Sequence, residues 1–336
     1  MKAIVIREFG PPGVMKLEEI PTPEPGPGEV LIKVHAVSVN RTLDTVVRAG
    51  KYARRVTLPL TPGVDPSGVI VKLGPGVTGR KVGDRVTVQL RTSHDSGADS
   101  IRNLGAHAWG GYAEYVCALA DRTAIVPDGL DFATATVVSR HAPTAFTLLR
   151  ERAKLQAGEW VLVMGAAGGL GSAGIQVAKY LGAKVIAAAG SDDRVKVGLD
   201  IGADAGVNYR KQDLTIEAMR ITQGQGVNVV FENIGDPTTF PKAFAALARR
   251  GRLVTAGGHG GGTVPLDVNR LYQNHLTVIG ATGETPADVE TSLKAAAEGK
   301  FKGLIDRIMP LSKAIEAHEW VESRGGVGKV ILDPMK

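Results

Sequence analysis

A short apolar segment that ends in a cluster of glycines constrains the fold of this chain more than any other feature. The segment reads Val161-Leu-Val-Met-Gly-Ala-Ala-Gly-Gly-Leu-Gly171, and a helical pattern continues to Leu181. This order predicts a strand, a tight turn and a helix, because glycine allows the backbone to turn sharply. The free amides at the start of such a helix bind the pyrophosphate of a dinucleotide, so the sequence predicts a nucleotide site here.

The glycine pattern departs from the common G-x-G-x-x-G form, because Ala166 stands where the first glycine is expected. The pattern alone is therefore also compatible with a glycine-rich structural turn. A second apolar strand, Val185–Ala189, follows the helix directly, and this favours the nucleotide site. The predicted cofactor contacts in the turn are Ala167, Gly168, Gly169 and Leu170.

The end of that second strand indicates which nucleotide is bound. Folds that bind NAD usually place Asp or Glu there to hold the ribose 2′-hydroxyl, whereas this strand ends in Ala189-Gly-Ser. A strand end without a carboxylate can accept a 2′-phosphate, and the arginine guanidinium binds such a dianion well, so the sequence predicts NADPH. Asp192 and Asp193 lie close by and would weaken a phosphate site. Arg194 could equally be a solvated helix charge. The residues predicted at this end of the site are Gly190, Ser191, Arg194 and Tyr209, with Arg210 nearby.

Composition limits the class of protein. The 336 residues predict two domains, and contents of 43% hydrophobic and 22% charged residues are typical of a soluble globular chain. The net charge of +6 comes from scattered basic residues, which favours neither nucleic acid nor a membrane surface as partner. A single cysteine, Cys117, excludes an intrachain disulfide and a cysteine-based structural zinc site. The sequence shows no secretory h-region and no apolar run of membrane-spanning length, so we expect the cytoplasm.

The chain consists of two successive regions with different sequence patterns. Residues 1–125 predict short strands between Pro/Gly turns, such as Lys2–Ile6, Glu29–Ala36 and Arg85–Gln89. Residues 126–283 alternate strands and helices, which is typical of a doubly wound parallel sheet. The strands predicted there are Val161–Gly165, Val185–Ala189, Gly206–Tyr209, Val227–Glu232, Arg252–Ala256 and Leu276–Gly280, with helices Asp213–Thr222 and Thr239–Arg249 among the connections. We expect residues 284–336 to return to the first domain, and a cleft between the domains to hold the nicotinamide.

Several motifs together resemble the medium-chain dehydrogenase/reductase superfamily. They are the segments Pro62–Gly68, Val82–Val86, Gly110–Tyr115, Ala166–Gly171, Leu181–Ala183 and Ile201–Asp204. Within that superfamily the chain is most similar to the zinc-free quinone oxidoreductase (zeta-crystallin-like) branch. The resemblance implies an α/β protein with a GroES-like β-rich catalytic domain, 1–125 with 284–336, and a Rossmann domain, 126–283.

The resemblance also allows the zinc ligands of the superfamily's alcohol dehydrogenases to be checked. Those enzymes place Cys where this chain has Asn40, His-Glu where it has Val64-Asp65, and Cys where it has Arg140 or His141. A lone carboxylate is not a metal site, so we expect no metal. The insert at 91–109 replaces the structural-zinc lobe. Its ligand-type residues, His94, Asp95, Asp99 and His107, follow no recognisable ligand spacing, and a solvated loop that partly covers the cleft is the expected role.

Without zinc, hydride transfer favours an acceptor that is already electron-poor. The resemblance therefore implies a zinc-independent reductase that transfers hydride from NADPH to a quinone or an α,β-unsaturated carbonyl compound. The candidate catalytic residues are Asn40, which the resemblance places near the cleft, and Arg140 and His141, which occupy the region of a lost zinc ligand. Arg140 and His141 could equally form a surface cap, and Asp44 and Arg48 a structural pair one helical turn apart.

Further cofactor contacts come from the resemblance and from the strand ends. The resemblance implies that Thr144 contacts the cofactor near the nicotinamide and that Lys329 reaches its phosphates. Ligands bind beyond the carboxyl ends of the strands in open parallel sheets. The strand ends therefore add Asn233, Ile234, Gly257, Gly258 and His259, of which His259 could equally belong to a flexible loop.

Two other functions stay open on the sequence alone. A reductase of 2-enoyl thioesters such as acyl-CoA compounds would use Arg54 and Arg55 to bind the CoA phosphates. A protein that binds NADPH without turnover, as a structural or RNA-binding module, is the alternative from another class. A homodimer could form by pairing of Val278–Gly280 across a two-fold axis. The sequence leaves open the physiological substrate, the stereochemistry, the proton donor and the oligomeric state.

Overall fold

The computed structural model describes residues 1–92 and 102–336, which divide into two compact units. The first unit comprises Met1–Arg140, Glu290–Gly299 and Gly303–Lys336, and the second comprises His141–Val289 and Lys300–Lys302. For the domains themselves we propose the limits expected from the sequence, 1–125 with 284–336 and 126–283. No helix in the described ranges is both long and apolar enough to cross a membrane.

The described residues form short strands and helices in alternation with turns. The strands are β1 (Lys2–Ile6), β2 (Met15–Glu19), β3 (Glu29–Ser38), β4 (Ser67–Leu73), β5 (Arg85–Val88), β6 (Tyr115–Leu119), β7 (Thr123–Ile125), β8 (Trp160–Met164), β9 (Lys184–Ala189), β10 (Ala205–Asn208), β11 (Val227–Glu232), β12 (Leu247–Thr255), β13 (Thr277–Gly280), β14 (Ile305–Pro310) and β15 (Lys329–Asp333). The α-helices are α1 (Asp44–Arg48), α2 (Phe132–Phe146), α3 (Gly169–Tyr180), α4 (Asp192–Asp200), α5 (Leu214–Ile221), α6 (Thr239–Ala245), α7 (Val268–Gln273), α8 (Pro286–Ala297) and α9 (Ala314–Ser323). Short 3₁₀-helices cover Pro12–Val14, Ala120–Arg122 and Leu311–Lys313, and a π-helical stretch covers Thr147–Arg152.

The first unit is built on a mixed sheet with β3 at its centre. The strand order is β14-β15-β3-β4-β5-β7, and β6 also pairs with β3. β3 runs antiparallel to β4, β6 and β15, and its apolar side chains Ile32 and Val34 are fully buried. The pairing of β15 aligns Ile331 with Ser38, so the C-terminal segment returns to the β-rich N-terminal segment. This pairing brings together side chains that lie far apart in the sequence.

The second unit contains six parallel strands in the order β10-β9-β8-β11-β12-β13. The order reverses between β8 and β11, so this is the doubly wound sheet that the sequence predicts. The residues of β8 from Val161 to Met164 are fully buried, as expected for a strand covered on both faces. The carboxyl ends of β8, β9, β11 and β12 lie along one edge of the sheet, where such folds bind ligands.

One predicted helix ends early. The sequence pattern extends it over Thr239–Arg249, whereas α6 ends at Ala245 and β12 begins at Leu247. The prediction is wrong for residues 247–249 because Leu247 is buried and pairs with Val227 of β11. Sheet pairing therefore overrides the helical preference of the alanine-rich segment.

Candidate dinucleotide site and buried polar cluster

The glycine turn between β8 and α3 has the conformation of a phosphate cradle. Gly165 has a φ of +67°, the left-handed region that favours glycine, and the Gly168 amide donates to its carbonyl at 2.8 Å. A Cβ at Gly171 would lie 2.1 Å from that same carbonyl oxygen, so no side chain fits there. The glycine that makes the turn is therefore Gly165, one residue before the predicted register. The sequence signal for it was a glycine directly after a buried strand.

Ala166 fits this turn because a glycine elsewhere makes room for its methyl group. Ala166 is fully buried, and a Cβ at Gly198 of α4 would lie 3.3 Å from the Ala166 Cβ and 2.5 Å from the Ala187 Cβ. The absent side chain at Gly198 thus lets α4 pack on the turn. The missing first glycine of the pattern is compensated in the packing and does not argue against a nucleotide site.

The first turn of α3 leaves its amides available to an anion. Gly168 is the N-cap residue and makes no side-chain capping hydrogen bond, and it is exposed. The first amides of a helix have no intrahelical partner and carry a partial positive charge. These amides, together with a cradle that excludes Cβ atoms, fit the pyrophosphate of a dinucleotide, which Ala167, Gly168, Gly169 and Leu170 would hold.

The imidazole of His141 lies against this turn. A Cβ at Gly169 would be 2.5 Å from His141 Nε2, so the absence of a side chain at Gly169 leaves room for the ring. His141 and Thr144 are both half-buried in α2. The structure thus places His141 among the predicted cofactor contacts of the second unit. We propose a cofactor contact for this ring in place of the catalytic role expected from the sequence.

The end of β9 carries the features expected of a 2′-phosphate site. A Cβ at Gly190 would lie 3.2 Å from both Tyr209 Oη and Arg210 Nε. Ser191 begins α4 as its N-cap residue, and Arg194 lies half-buried in the first turn of that helix. Hydroxyl and guanidinium groups therefore meet at an uncharged strand end.

The side chain of Asp192, whose negative charge would weaken a phosphate site, is engaged by two neighbouring residues. Its Oδ1 accepts from Asn208 Nδ2 at 2.6 Å, and its Oδ2 forms an ion pair with Lys211. The hydrogen bonds from Asn208 and Lys211 hold the pKa of this carboxyl below its usual range. The negative charge of Asp192 is thus partly offset by a neighbouring ammonium.

The loops after β11 and β12 pack closely on each other. Asn233 Nδ2 donates to the Met164 carbonyl at 2.6 Å, and a Cβ at Gly257 would lie 2.1 Å from the Asn233 carbonyl oxygen. The Ile234 carbonyl accepts from Gly260 at 2.7 Å. Asn233, Ile234, Gly257 and Gly258 are thus brought to one edge of the sheet, whereas His259 is exposed in the following loop.

Glu232 holds the shape of the loop after β11, and sequence reasoning did not find it. Its carboxylate is fully buried and accepts from the amides of Ile234 and Gly235 at 2.9 and 3.1 Å. Burial raises the pKa of Glu232, and the two amide hydrogen bonds oppose that rise.

The first unit contains a cluster of buried polar side chains, which we call the Asp65 cluster: Ser38, Asn40, Asp44, Asp65 and Lys329. All five are buried. Asp65 accepts from the Ser38 amide at 2.9 Å, from the Ser38 hydroxyl at 2.5 Å and from Asn40 Nδ2 at 3.0 Å. Asn40 Nδ2 also contacts the Ser38 hydroxyl at 3.1 Å. The amide hydrogens of Asn40 are therefore engaged within the cluster.

Lys329 completes the cluster from β15. Its Nζ donates to Asn40 Oδ1 at 2.6 Å and to the Val39 carbonyl at 3.4 Å. Burial lowers the pKa of Lys329 to about 8, and the charge of Arg140 acts in the same direction, whereas Asp65 opposes it. The expectation from the sequence was a contact with the cofactor phosphates. The structure places the ammonium beside Asn40, and we propose its role there.

Asp44 links the cluster to the backbone around it. Its carboxylate accepts from the Asn40 amide at 2.7 Å and from the Gly63 amide at 3.2 Å. Burial raises the pKa of Asp44 to about 7, and the neighbouring Asp65 adds to the rise. Arg48, whose spacing suggests a pair with Asp44, instead forms an ion pair with Glu322 at 2.6 Å.

The residues in the positions of the zinc ligands do not fit a zinc ion. The positions carry Asn40, Val64, Asp65 and either Arg140 or His141, and the Asp65 carboxylate is already bound by Ser38 and Asn40. Within 1–92 and 102–336, no group of three or more His, Cys, Asp or Glu side chains could hold a metal ion. The insert residues His94, Asp95 and Asp99 lie outside the described residues.

Comparisons with known proteins identify the family of this chain. Residues 26–128 match the family model described as "Alcohol dehydrogenase GroES-like domain", and residues 169–298 match "Zinc-binding dehydrogenase". Human quinone oxidoreductase is 34% identical over 341 residues, which cover 99% of this chain and 97% of the relative.

Solved structures of similar chains give the same fold. The crystal structure of an NAD-dependent alcohol dehydrogenase superposes with a TM-score of 0.91 at 33% identity, and covers 99% of both chains. A cobalt- and zinc-bound thermostable alcohol dehydrogenase from Pyrobaculum aerophilum gives a TM-score of 0.86 at 34% identity, again over 99% of both chains. The predicted fold class, a GroES-like domain with a Rossmann-type parallel sheet, is confirmed.

Proposed function

Because the chain belongs to the medium-chain dehydrogenase/reductase superfamily, we propose that it is a zinc-independent, NADPH-dependent reductase of quinones or α,β-unsaturated carbonyl compounds. Membership makes it an oxidoreductase that uses a nicotinamide cofactor on a small molecule. The choice of NADPH, the class of acceptor and the absence of zinc are proposals argued from this chain's own residues.

The observation that carries the proposal is the ammonium of Lys329 in the Asp65 cluster. It donates to Asn40 at 2.6 Å, in the position where the resemblance expects a zinc thiolate ligand. Arg140 adds a second positive charge that is felt at Lys329, and its Nε makes no hydrogen bond to the residues described. Two cations suit the negative charge that develops on the oxygen of a quinone or enone during reduction.

The cofactor, when bound, supplies a hydride from its nicotinamide ring. The residues of this chain hold and orient it through the glycine turn, the end of β9 and the loops after β11 and β12. Lys329 supplies the proton that the reduced acceptor must gain. Its lowered pKa of about 8 makes the ammonium a better acid near neutral pH than an ordinary lysine.

NADPH is favoured over NADH by the end of β9. Tyr209 and Arg210 converge on Gly190, no carboxylate stands at Ala189, and Asp192 is engaged by Lys211. A 2′-phosphate would find cationic partners here, whereas a ribose 2′-hydroxyl would lack its usual acceptor.

Oxidation of NADPH, followed by its near-ultraviolet absorbance, tests the proposal with a panel of quinones, enones and 2-enoyl-CoA esters. We expect turnover with quinones or enones, and at least about tenfold less with NADH. Lys329→Met should abolish most of the turnover with NADPH. Lys336→Met removes an exposed lysine of the same unit and should leave the turnover unchanged. Tight NADPH binding without turnover of any acceptor would instead favour the non-catalytic alternative.

A 2-enoyl thioester reductase is the second candidate, and one observation favours it. Arg54 and Arg102 both act on His107, whose pKa is lowered first by burial and then by these charges. A basic patch of this kind would suit the phosphates of coenzyme A. Preference for enoyl-CoA esters over simple enones in the same panel would select this candidate.

We also propose a cytoplasmic homodimer. β13 is the last strand of its sheet, and Val278 at that edge is 39% exposed, so a second copy could pair there. Light scattering on the purified protein would show a mass close to twice 35.2 kDa if the proposal is correct.

A further inference from the structure

A line of side chains, buried except for Glu322 at its start, connects helix α9 with Asp44. Arg48 lies 2.6 Å from Glu322 Oε1 and donates through Nε to the Gly10 carbonyl at 3.1 Å. The Nη1 of Arg48 lies 3.1 Å from His318 Nδ1, and the other ring nitrogen, Nε2, lies 3.1 Å from the Tyr112 hydroxyl. We call this line of groups the His318 chain. His318 and Tyr112 are both fully buried.

The His318 chain ends at the Asp65 cluster. The Tyr112 hydroxyl faces Asp44: burial raises the pKa of that hydroxyl, and the charges of Asp44 and Asp65 and hydrogen bonding toward Asp44 add to the rise. The Asp44 carboxylate accepts from the amides of Asn40 and Gly63 at 2.7 and 3.2 Å. Asp44 thus holds two separate segments of the chain and lies beside Tyr112 from a third. The proposed reduction uses Asn40 and Lys329. Arg48, His318 and Tyr112 have no role in it so far.

The fixed charge of Arg48 determines where every proton in this line resides. A guanidinium can only donate, so His318 Nδ1 must accept from it. Burial lowers the pKa of His318 to about 3, and the ring is therefore neutral with its proton on Nε2. That N–H donates to the Tyr112 oxygen, which leaves the Tyr112 hydrogen to donate to Asp44.

We propose that His318 is a positioning residue, which turns the hydroxyl of Tyr112 toward Asp44 and thereby holds the main-chain amides of Asn40 and Gly63 in place. The ring acts through Tyr112 and touches neither the cofactor nor the acceptor. Packing supports this, because a Cβ at Gly63 would lie 2.5 Å from Tyr112 Cδ1, so Tyr112 directly contacts the segment that Asp44 holds.

The arrangement favours the ionised form of Asp44, which accepts hydrogen bonds, against the effect of burial. Burial and the charge of Asp65 raise the pKa of Asp44, whereas Lys329 and the Asn40 amide oppose that rise. A hydroxyl hydrogen aimed at the carboxylate stabilises its ionised form in the same way. Loss of that hydrogen would favour protonation of Asp44 and release the Asn40 amide. The last step, from Asn40 to turnover, rests on the proposed function.

The tautomer of His318 tests the proposal without any assay of activity. Nitrogen-15 NMR of histidine-labelled protein, with His318 assigned by its loss in His318→Gln, reports which ring nitrogen carries the proton. We expect a neutral ring with hydrogen on Nε2 from about pH 5 to about pH 8, where an ordinary histidine titrates. Hydrogen on Nδ1, or protonation of the ring in that range, would overturn the proposal.

Variants then test the consequence for turnover. His318→Gln keeps an acceptor for Arg48 and a donor for Tyr112, so it should retain most of kcat, whereas His318→Leu should lose at least about tenfold. Tyr112→Phe should move the acidic limb of the kcat/KM profile up by about one pH unit, because a carboxylate that loses a donor is protonated more easily. Tyr272→Phe, an exposed tyrosine, is the control.

Each outcome has a distinct meaning. An unshifted limb in Tyr112→Phe, or equal loss in the Gln and Leu variants, would contradict the positioning role. If no acceptor is reduced by the wild type, the proposed function fails while the NMR result still decides the tautomer. If His318→Leu does not fold, the NMR measurement and Tyr112→Phe carry the decision.

Discussion

Replacement of Arg210 by alanine tests the nucleotide assignment, because this guanidinium lies beside the glycine that ends β9. Its Nε is 3.2 Å from the point that a Cβ would occupy at Gly190, and the Tyr209 hydroxyl is equally close. An arginine that faces a phosphate dianion makes charge-assisted hydrogen bonds, each of about 1.5–3 kcal/mol. The 2′-phosphate is the only part of NADPH that NADH lacks, so the loss should fall on NADPH alone.

The exposure of Arg210 reduces that figure. The side chain is exposed, and solvent and salt screen its charge, so we take about 1–2 kcal/mol. A loss of this size raises the KM for NADPH roughly 5- to 30-fold and leaves the KM for NADH unchanged. The effect should shrink as the ionic strength rises, because screening weakens the same interaction in the wild type.

The assay is the initial rate with each nucleotide at low and high salt. Arg220→Ala is the matched control, because it removes an exposed guanidinium of the same unit that pairs with Glu217. An unchanged ratio of the two KM values in Arg210→Ala would refute the reasoning. An equal loss with both nucleotides would refute it as well, since it would place Arg210 at a group that NADH shares.

Three further predictions concern the cradle, the cluster and the core. Gly171→Ala should weaken NADPH binding at least about tenfold in a fluorescence titration, because its Cβ would lie 2.1 Å from a carbonyl oxygen, whereas Gly13→Ala, with open space around it, should not. Wild-type turnover should fall as pH rises through about 8, where Lys329 loses its proton, and the residual turnover of Lys329→Met should lack that basic limb; a limb that persists in this variant would exclude Lys329 as the donor. Phe231→Ala should lower the free energy of unfolding by about 3–5 kcal/mol in denaturant titration, because the ring is fully buried against Gly174; a loss under about 1 kcal/mol would contradict this packing.

The sequence predicted the second unit well, and the reason lies in how its strands are buried. Parallel strands covered on both faces read as continuous apolar runs, and Val161–Met164 and Val185–Ala189 have this form. The glycine turn adds a local conformational signal. Where the local signal misled, as at Leu247, sheet pairing with β11 decided the structure.

The Asp65 cluster was only partly predictable, because its members come from distant parts of the chain. Asn40 was found through the resemblance, but Lys329 lies 289 residues away, and no local pattern indicates that the two side chains meet. The contact of His318 with Tyr112 spans 206 residues, and that with Arg48 spans 270. The spacing of His318 from Ala314 and Ala317 places it on the buried face of its helix, but it does not indicate which distant side chains the ring contacts.

Gly165 and Gly198 illustrate a third kind of miss. The turn glycine lies one residue before the register that the fingerprint suggested, and the space for Ala166 is provided by Gly198 on the next helix. A sequence fingerprint specifies only the spacing between glycines along the chain. Whether Ala166 fits depends on a neighbour in space, Gly198, which has no side chain. The departure from the fingerprint is therefore explained only once the second helix is in place.

The central claim is that a buried ammonium, and no metal ion, assists the reduction of an electron-poor acceptor by NADPH. The most direct test is the quinone reductase rate of protein treated with a strong chelator and dialysed, with residual zinc measured by mass spectrometry on the same sample. We predict that kcat is unchanged at far below stoichiometric zinc and that added zinc does not raise it. Loss of turnover on chelation, restored by zinc in proportion to its binding, would contradict a role for Lys329 in place of the metal.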